Sequence, residues 1–404
     1  MTVDTALLPS YPQDRKCPYQ PSPGYQELGG EGPLHRVRLF DGKWLWLVTG
    51  HSQGRRLLAD PRMSADRSRA DFPVVLPRFE APIFKPLALI GFDPPTHSVH
   101  RRLLAPDFSL KHVRALRADV TALAHRLIDR ITAKGAPADL LNDYALPIPS
   151  MVVSELLGVP YDDHEFFEAR TVDLLQAKSP EGAEAAGQAL WDYLDRLITA
   201  KERDAADDGV ISRLASRVDG VDLTRDDLLR IALALLIGGH DTTSQMIAMG
   251  VVTLLEHPDQ LDLLLADADL VPAAVDELLR VVSVTDVSGV RVALEDIEID
   301  GYTVRKGEGV LVSSSMTNRD PEVYPDPYRV DVRRTAGSAS RQHMTFGFGI
   351  HQCLGQNLAR MELEVAFTVL FERLPTLRLA VPRADLAFRK GGTMQGVHTL
   401  PVAW

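Results

Sequence analysis

The sequence predicts a mainly α-helical protein carrying small β-sheets. Two observations point there. Long stretches repeat apolar residues at three- and four-residue spacing, over 113–206, 224–256 and 357–373, and a few short alternating runs meet at Asp-Gly dipeptides. With 404 residues, 45% of them hydrophobic, the chain can bury a large core, as two or three average domains or as one large one. The formal net charge of -11 argues against nucleic acid or an anionic membrane as a partner.

The lead is irregular, with Pro9, Pro12, Pro18, Pro21 and Pro23. Met1 to Pro12 has no basic segment followed by an apolar run, so neither signal peptide nor membrane anchor is expected. Two cysteines, Cys17 and Cys353, lie far apart without metal or disulfide spacing, which suits a reducing, cytoplasmic setting with Cys17 as a bystander. His35–Phe40 and Lys43–Val48 alternate across Asp41-Gly42 and read as a hairpin with a tight primed turn. Met63 to Phe92 is a long loop rich in turn residues, expected to face a substrate.

Asp93-Pro94-Pro95-Thr96 opens a helix that puts His97 and Arg101 on one face, where a solvated basic face is the common origin. From Val113 to Ala206 the helical pattern breaks at Pro147-Ile148-Pro149, Gly158-Val159-Pro160 and Ser179–Gly182; the acidic run Asp204 to Asp208 reads as a solvated end. Thr224 to Asp227 resembles a capping box, opening a helix that runs to about Glu256, roughly 45 Å at 1.5 Å per residue. Such a helix must cross the domain. Gly238-Gly239 in its middle is locally costly, and a threonine there can bond back to the i−4 carbonyl, so the helix is expected to open. Glu277-x-x-Arg280 is an i,i+3 ion pair, weak by itself. Ile297–Ile299 and Tyr302–Val304 flank Asp300-Gly301 as another hairpin, with Gly309–Val312 as a third strand beside it.

Thr345 to Gly355 concentrates the chemistry. Its glycines permit a tight turn, and the helix that follows would hold the Cys353 sulfur at its N-terminus, lowering the thiol pKa. Such a sulfur is a metal ligand or a nucleophile; a buried structural thiol is the plainer alternative.

Phe346-Gly347-x-Gly349-x-His351-x-Cys353-x-Gly355 resembles the cysteine-ligand loop of the cytochrome P-450 family, the haem-thiolate monooxygenases. The resemblance implies a triangular fold in one domain over 1–404, with a β-containing part at about 30–60 and a long oxygen-binding helix crossing over haem b. Cys353 is then the iron ligand, with Phe346, Gly347, Gly349, His351 and Gly355 around it. His97-x-x-x-Arg101, Arg291 and His343 match positions that hold haem propionates. Gly238-Gly239-x-Asp241-Thr242 matches the oxygen-binding kink, where an acid and a threonine manage protons. Glu277-x-x-Arg280 would join Arg329 in locking the cysteine loop.

The same resemblance implies an apolar substrate pocket from Leu233, Ala234, Ile237, Val287, Val290 and Met394 to Val397, with Val74 to Leu89 as a lid and Phe166 to Gly182 as a roof. Phe166, Phe167, Leu174 and Leu175 fit plain core equally well. The implied reaction is hydroxylation or epoxidation of a hydrophobic secondary metabolite or foreign compound, with O2 and with electrons from NAD(P)H through a ferredoxin and its reductase, by a cytoplasmic monomer. Arg101, Arg102, Lys111, His112, Arg341 and Arg360 fall in segments on the cysteine side, where the ferredoxin would dock. A peroxygenase, a nitric-oxide reductase or a non-enzymatic haem sensor are the rivals. None of these needs Asp241 and Thr242 together.

Overall fold

The computed structural model describes residues 5–17, 19–85, 87–203, 209–218, 223–336 and 342–404. The acidic run Asp204 to Asp208 and Arg341 lie outside them. The mainly α architecture with small sheets is as expected. A five-stranded sheet joins β1 (Leu34–Arg38), β2 (Trp44–Val48), β3 (Met63–Ser64), β4 (Gly289–Ala293) and β5 (Gly309–Val312) in the order β1-β2-β5-β4-β3. β5 runs parallel to β2, with Trp46 opposite Val310, and antiparallel to β4. Gly309–Val312 is thus a strand as expected, and it pairs with β2 and β4 rather than with the Ile297–Val304 hairpin. Every residue of β5 is buried, which suits a strand paired on both edges rather than the rim of a hairpin.

The two Asp-Gly turns also part company. Asp300 and Gly301 both have positive φ, 47° and 84°, and make the tight primed turn. At the first hairpin only Gly42 does, at 80°. There the Asp41 carboxylate accepts from Lys43 N at 3.0 Å, an Asx-type bond that favours a wider loop closed by one left-handed glycine.

Among the described residues the larger helices include α1 (Thr96–Leu104), α2 (Leu110–Lys134), α3 (Pro147–Leu157), α4 (His164–Gln176), α5 (Pro180–Lys201), α6 (Arg225–Gly239), α7 (Asp241–Leu255), α8 (Val271–Val282) and α9 (Gln356–Arg373). Ser109 and Ser179 cap α2 and α5, and Thr224 with Asp227 forms the anticipated capping box of α6. Every residue of α7 except Thr242 and Leu255 is buried, so this helix is the axis of the core. The single long helix of the sequence reading is in fact α6 and α7, divided at His240 (φ −109°, ψ −47°). Phe167 and Leu174 are fully buried and belong to the core rather than to a roof, while Phe166 is 39% exposed.

Below α7, α8 carries the buried pair Glu277 and Arg280, bonded through Nε and Nη2 at 2.7 and 2.8 Å. Arg329 does not complete it with its side chain, which is exposed; its carbonyl accepts from Arg280 and Arg334. Arg334 takes the expected place, with Nε 3.1 Å from Glu277 Oε1. A carboxylate as deeply buried as Glu277 needs more than one donor, and Arg334 is the second guanidinium within reach. Glu277→Ala, which strands a buried guanidinium, is expected to cost about 3–5 kcal/mol. Arg334→Ala should lower the urea midpoint clearly, whereas Arg329→Ala should stay within about 0.5 kcal/mol of the parent. Equal losses for Arg329→Ala and Arg334→Ala would return the role to Arg329.

Candidate active site

A cavity of about 360 Å³ lies between the cysteine loop and the α6–α7 break. Its floor is Phe346, Gly347, His351 to Gly355 and the near face of α9. Gly347 and Gly349 have φ of 69° and 76°, and a Cβ at either would come within 2.9 Å of Ser288 O or 2.7 Å of Leu58 O. Only glycine meets both demands. The turn brings Cys353 N to Phe346 O at 2.8 Å and leaves the sulfur on the cavity, which accounts for the exposed surface of a residue otherwise deep in the fold. Burial pushes its thiol up, against the Gly355 amide, Arg101 and Arg360, which pull the other way. The lowered pKa expected from the helix end is overturned, because α9 begins only at Gln356 and desolvation of the sulfur outweighs its dipole.

A cationic wall rises from α1. His97 and Arg101 both line the cavity, and the His97 ring packs against His351 with centroids 4.1 Å apart. Both ring nitrogens of His97 are buried without a partner among the described residues. Burial, then Arg101 and Arg291, lower its pKa to about 4; burial, Arg291 and His97 lower that of His351 to about 3. At neutral pH the imidazoles are therefore uncharged, and the wall offers an anion the Arg101 charge and an imidazole N–H donor of His97. Arg291 acts from behind it, donating to Val290 O at 2.7 Å, and does not line the cavity. His343 does not line it either. It lies 3.3 Å from Asp276 and 3.2 Å from Arg360, because the buried Asp276 carboxylate, which burial alone would raise, is held low by these two partners.

The ceiling is the helix break. A Cβ on Gly238 would meet nothing within 4 Å, so this glycine leaves open space; one on Gly239 would lie 2.2 Å from Val153 Cγ2, so this one lets α3 approach. Two side chains take the carbonyls that the break releases: Thr242 Oγ1 donates to Gly238 O at 2.9 Å, and His240 Nδ1 reaches Leu236 O at 2.8 Å. Thr242 faces the cavity, and so does Thr243. Asp241 is buried and points elsewhere, gripped by Arg389 through both carboxylate oxygens at 2.8 and 2.9 Å.

Of the expected substrate contacts, Ala234 and Val287 line the cavity. Leu233, Ile237 and Val397 are core, Met394 packs against that core while receiving Arg389 at 3.7 Å, and Val290 joins the sheet cluster. For the two helical residues the cause is rotation: α6 turns Ala234, Leu235, Gly238 and Gly239 to the cavity, and Leu233 and Ile237 lie on the adjoining side, in the core. Among the described residues of the lid only Leu89, with its neighbour Ile90, arrives, and no described residue of the roof does. Arg334, Arg389, Asn318 and Glu362 were missed. Of these only Glu362 carried a signal, an acid on the apolar stripe of α9.

Residues 172–378 match the family described as Cytochrome P450. Cytochrome P450 105A3 of Streptomyces carbophilus is 50% identical, over 98% of this chain and 96% of its own length. The chain is a cytochrome P450. The Vitamin D3 dihydroxylase of Streptomyces griseolus is 47% identical over 100% of the P450 and 98% of the relative. The crystal structure of MycCI from Micromonospora griseorubida, a mycinamicin VIII C21 methyl hydroxylase bound to mycinamicin VIII, matches with a TM-score of 0.91 at 33% identity, covering 98% of this chain and 100% of that one. Haem iron is the family's cofactor, and the P450 fits it: a thiol on the floor, open space at Gly238, and partnerless His97 nitrogens beside Arg101 where carboxylates are wanted. The enzyme is a haem-dependent monooxygenase.

In the haem-free protein His97 stays neutral down to about pH 4, while the unfolded chain binds that proton near 6.5. Its contribution is therefore present above pH 6.5 and is lost as the pH falls toward 4. His97→Gln should flatten this part of the pH profile of the urea midpoint. An unchanged acid slope would place the loss elsewhere.

Proposed function

We propose that the enzyme hydroxylates or epoxidises a bulky, mainly hydrophobic small molecule, a secondary metabolite or a foreign compound, in a single-domain cytoplasmic monomer. The relatives are named for oxidations of this kind, and the cavity walls beyond the thiol and the cationic side are largely Leu, Val, Ala and Met. The sharing of one sheet between residues 34–64 and 289–312 supports the single domain. Among the described residues no helix is long and apolar enough to cross a membrane.

The carrying observation is the arrangement of Thr242 and Asp241 about the broken helix. Bound haem iron, with Cys353 as its thiolate and His97 and Arg101 at its carboxylates, supplies the activation of dioxygen. The Thr242 hydroxyl gives its hydrogen to the Gly238 carbonyl, so toward the cavity it presents lone pairs and accepts a hydrogen bond. This steadies a protonated oxygen and keeps the hydroxyl from quenching it. Asp241 moves a proton toward that position only when Arg389 releases it, since the carboxylate now lies off the cavity. Arg389 also contacts Met394, on the C-terminal segment that packs over α7, so the release involves that segment. A peroxygenase, a nitric-oxide reductase or a haem sensor would have no use for this relay, and the relatives' names do not favour them.

NAD(P)H electrons arrive through a ferredoxin and its reductase. On the cysteine side Arg102, Lys111 and His112 are exposed, whereas Arg101 is spent on Gln352 O and the cavity and Arg360 on Asp276. Reduction by an acidic ferredoxin should therefore slow steeply with added salt, and more so in the parent than in Lys111→Glu. A rate indifferent to salt would point to an apolar docking face.

The reduced protein with carbon monoxide should show the strongly red-shifted Soret band of thiolate ligation, lost in Cys353→His. Thr242→Ala should keep haem and substrate binding but release peroxide in place of product. Asp241→Asn should slow turnover by about 10²-fold. Since Thr243 shares the cavity, Thr243→Ala is the comparison. If it uncouples the enzyme while Thr242→Ala does not, the relay is one residue away.

A further inference from the structure

Residues 283–288 lie outside the helices and strands, between α8 and β4, yet Val284, Thr285, Val287 and Ser288 line the cavity. With no ladder of their own, they are placed by bonds to other segments. At one end Ser288 N donates to Val312 O at 2.8 Å, and the Ser288 hydroxyl donates to Met344 O at 2.6 Å. At the other, Ser283 has a left-handed φ of 43°, a costly conformation for a residue with a Cβ, which persists only where the surroundings impose it.

Those surroundings include the irregular lead of the chain. Arg15, with a side chain 2% exposed, donates through Nη1 to Val282 O at 2.6 Å and through Nη2 to Ser283 O at 3.0 Å; Nη2 also lies 3.8 Å from Asp286 Oδ1. The carboxylate of Asp14, next to it, accepts from Gly391 N at 2.7 Å. The two segments held in this way are joined to each other. Asp286 N donates to Thr393 O at 2.9 Å and Gln395 N to Val284 O at 2.7 Å, with Thr285 opposite Met394 in an antiparallel bridge. Two adjacent side chains of the lead therefore hold both members of a pair that carries one wall of the cavity.

We propose that Asp14 and Arg15 form a clamp that positions the 284–287 wall and so helps to decide which hydrophobic molecules the cavity accepts. The proposal rests on the monooxygenase reading, because it concerns the substrate wall of that site. Neither residue lines the cavity, so both act as positioning residues through the backbone they hold. An apolar wall selects by shape, and displacing its backbone alters selection with every lining residue unchanged.

Two azoles that ligate iron test the clamp in the haem-loaded protein. Imidazole is too small to need the wall, whereas 4-phenylimidazole must also seat its phenyl ring within the cavity, and spectral titration yields a dissociation constant for each. In Arg15→Gln the ratio of the 4-phenylimidazole constant to the imidazole constant should rise at least about fivefold, and in Asp14→Ala at least about twofold. A plain helix cap would lower the urea midpoint and weaken both ligands alike or neither. A ratio in Arg15→Gln that stays within about twofold of the parent therefore overturns the proposal. Asp14 is exposed, so its variant is expected to fold; should Arg15→Gln fail to hold haem, an unchanged ratio in Asp14→Ala overturns the proposal in its place. Azole binding needs no turnover, so product formation by the parent enzyme judges the monooxygenase reading separately.

Discussion

A buried guanidinium holds the floor of this enzyme in place. Arginine has five N–H donors, and each one of Arg280 has an acceptor: Glu277 through Nε and Nη2, the carbonyls of Asn318 and Pro327 through Nη1, and that of Arg329 through Nη2. Burying the charge is tolerable only because none of these donors is wasted and Glu277 is bound in turn by Arg334 and Asp331 N. The ordering then propagates through Asn318. Its amide accepts from Met344 N at 2.6 Å and donates to Thr345 Oγ1 at 2.9 Å, so the first residues of the cysteine loop are positioned by α8. From there the two left-handed glycines carry the chain to Cys353.

Charge is distributed in the cavity with the same economy of partners, but two sites are treated in opposite ways. On the α1 side, His97, Arg101 and His351 are gathered in a buried wall; burial first, then the neighbouring cationic groups, depresses the histidines, and the His97 ring is left for the carboxylates of a cofactor. At the helix break, Asp241 is gripped by both arms of Arg389. The first arrangement raises the affinity for an anionic partner at the expense of the empty protein's stability. The second pairs a buried carboxylate in full and so protects the empty protein.

The motifs with local causes were legible in the sequence. The glycine turn, the capping box at Thr224 and the opening at Gly238-Gly239 each follow from what those residues do to their own backbone, and each is where it was expected. The partners were less so, because they are chosen by packing across hundreds of residues. Arg389 reaches Asp241 from 148 positions away, and Arg334 replaces Arg329 because its side chain turns inward where the other turns out. The substrate wall failed for a finer reason. A helical pattern says that 233, 234 and 237 share a broad apolar side, but only the backbone's rotation decides which of them meets the cavity and which the core.

That last point bears on how the enzyme chooses its substrate. The polar groups of the site sit on one closely spaced frame, made of the cysteine turn, α1 and the break between α6 and α7. What remains for the substrate is an apolar boundary drawn from separate segments: Leu89 and Ile90, Leu156 and Leu157 of α3, and Val284 and Val287 after α8. Apolar contacts discriminate weakly, by about 1–3 kcal/mol per methylene, so fit to such a boundary depends on the shape of the whole. Ile90 is also 48% exposed and belongs to a long loop with little regular structure, so this part of the boundary can change without disturbing Arg280 or Cys353. Chemistry and selectivity thus rest on different parts of the chain, and a constant reaction can be combined with a variable substrate.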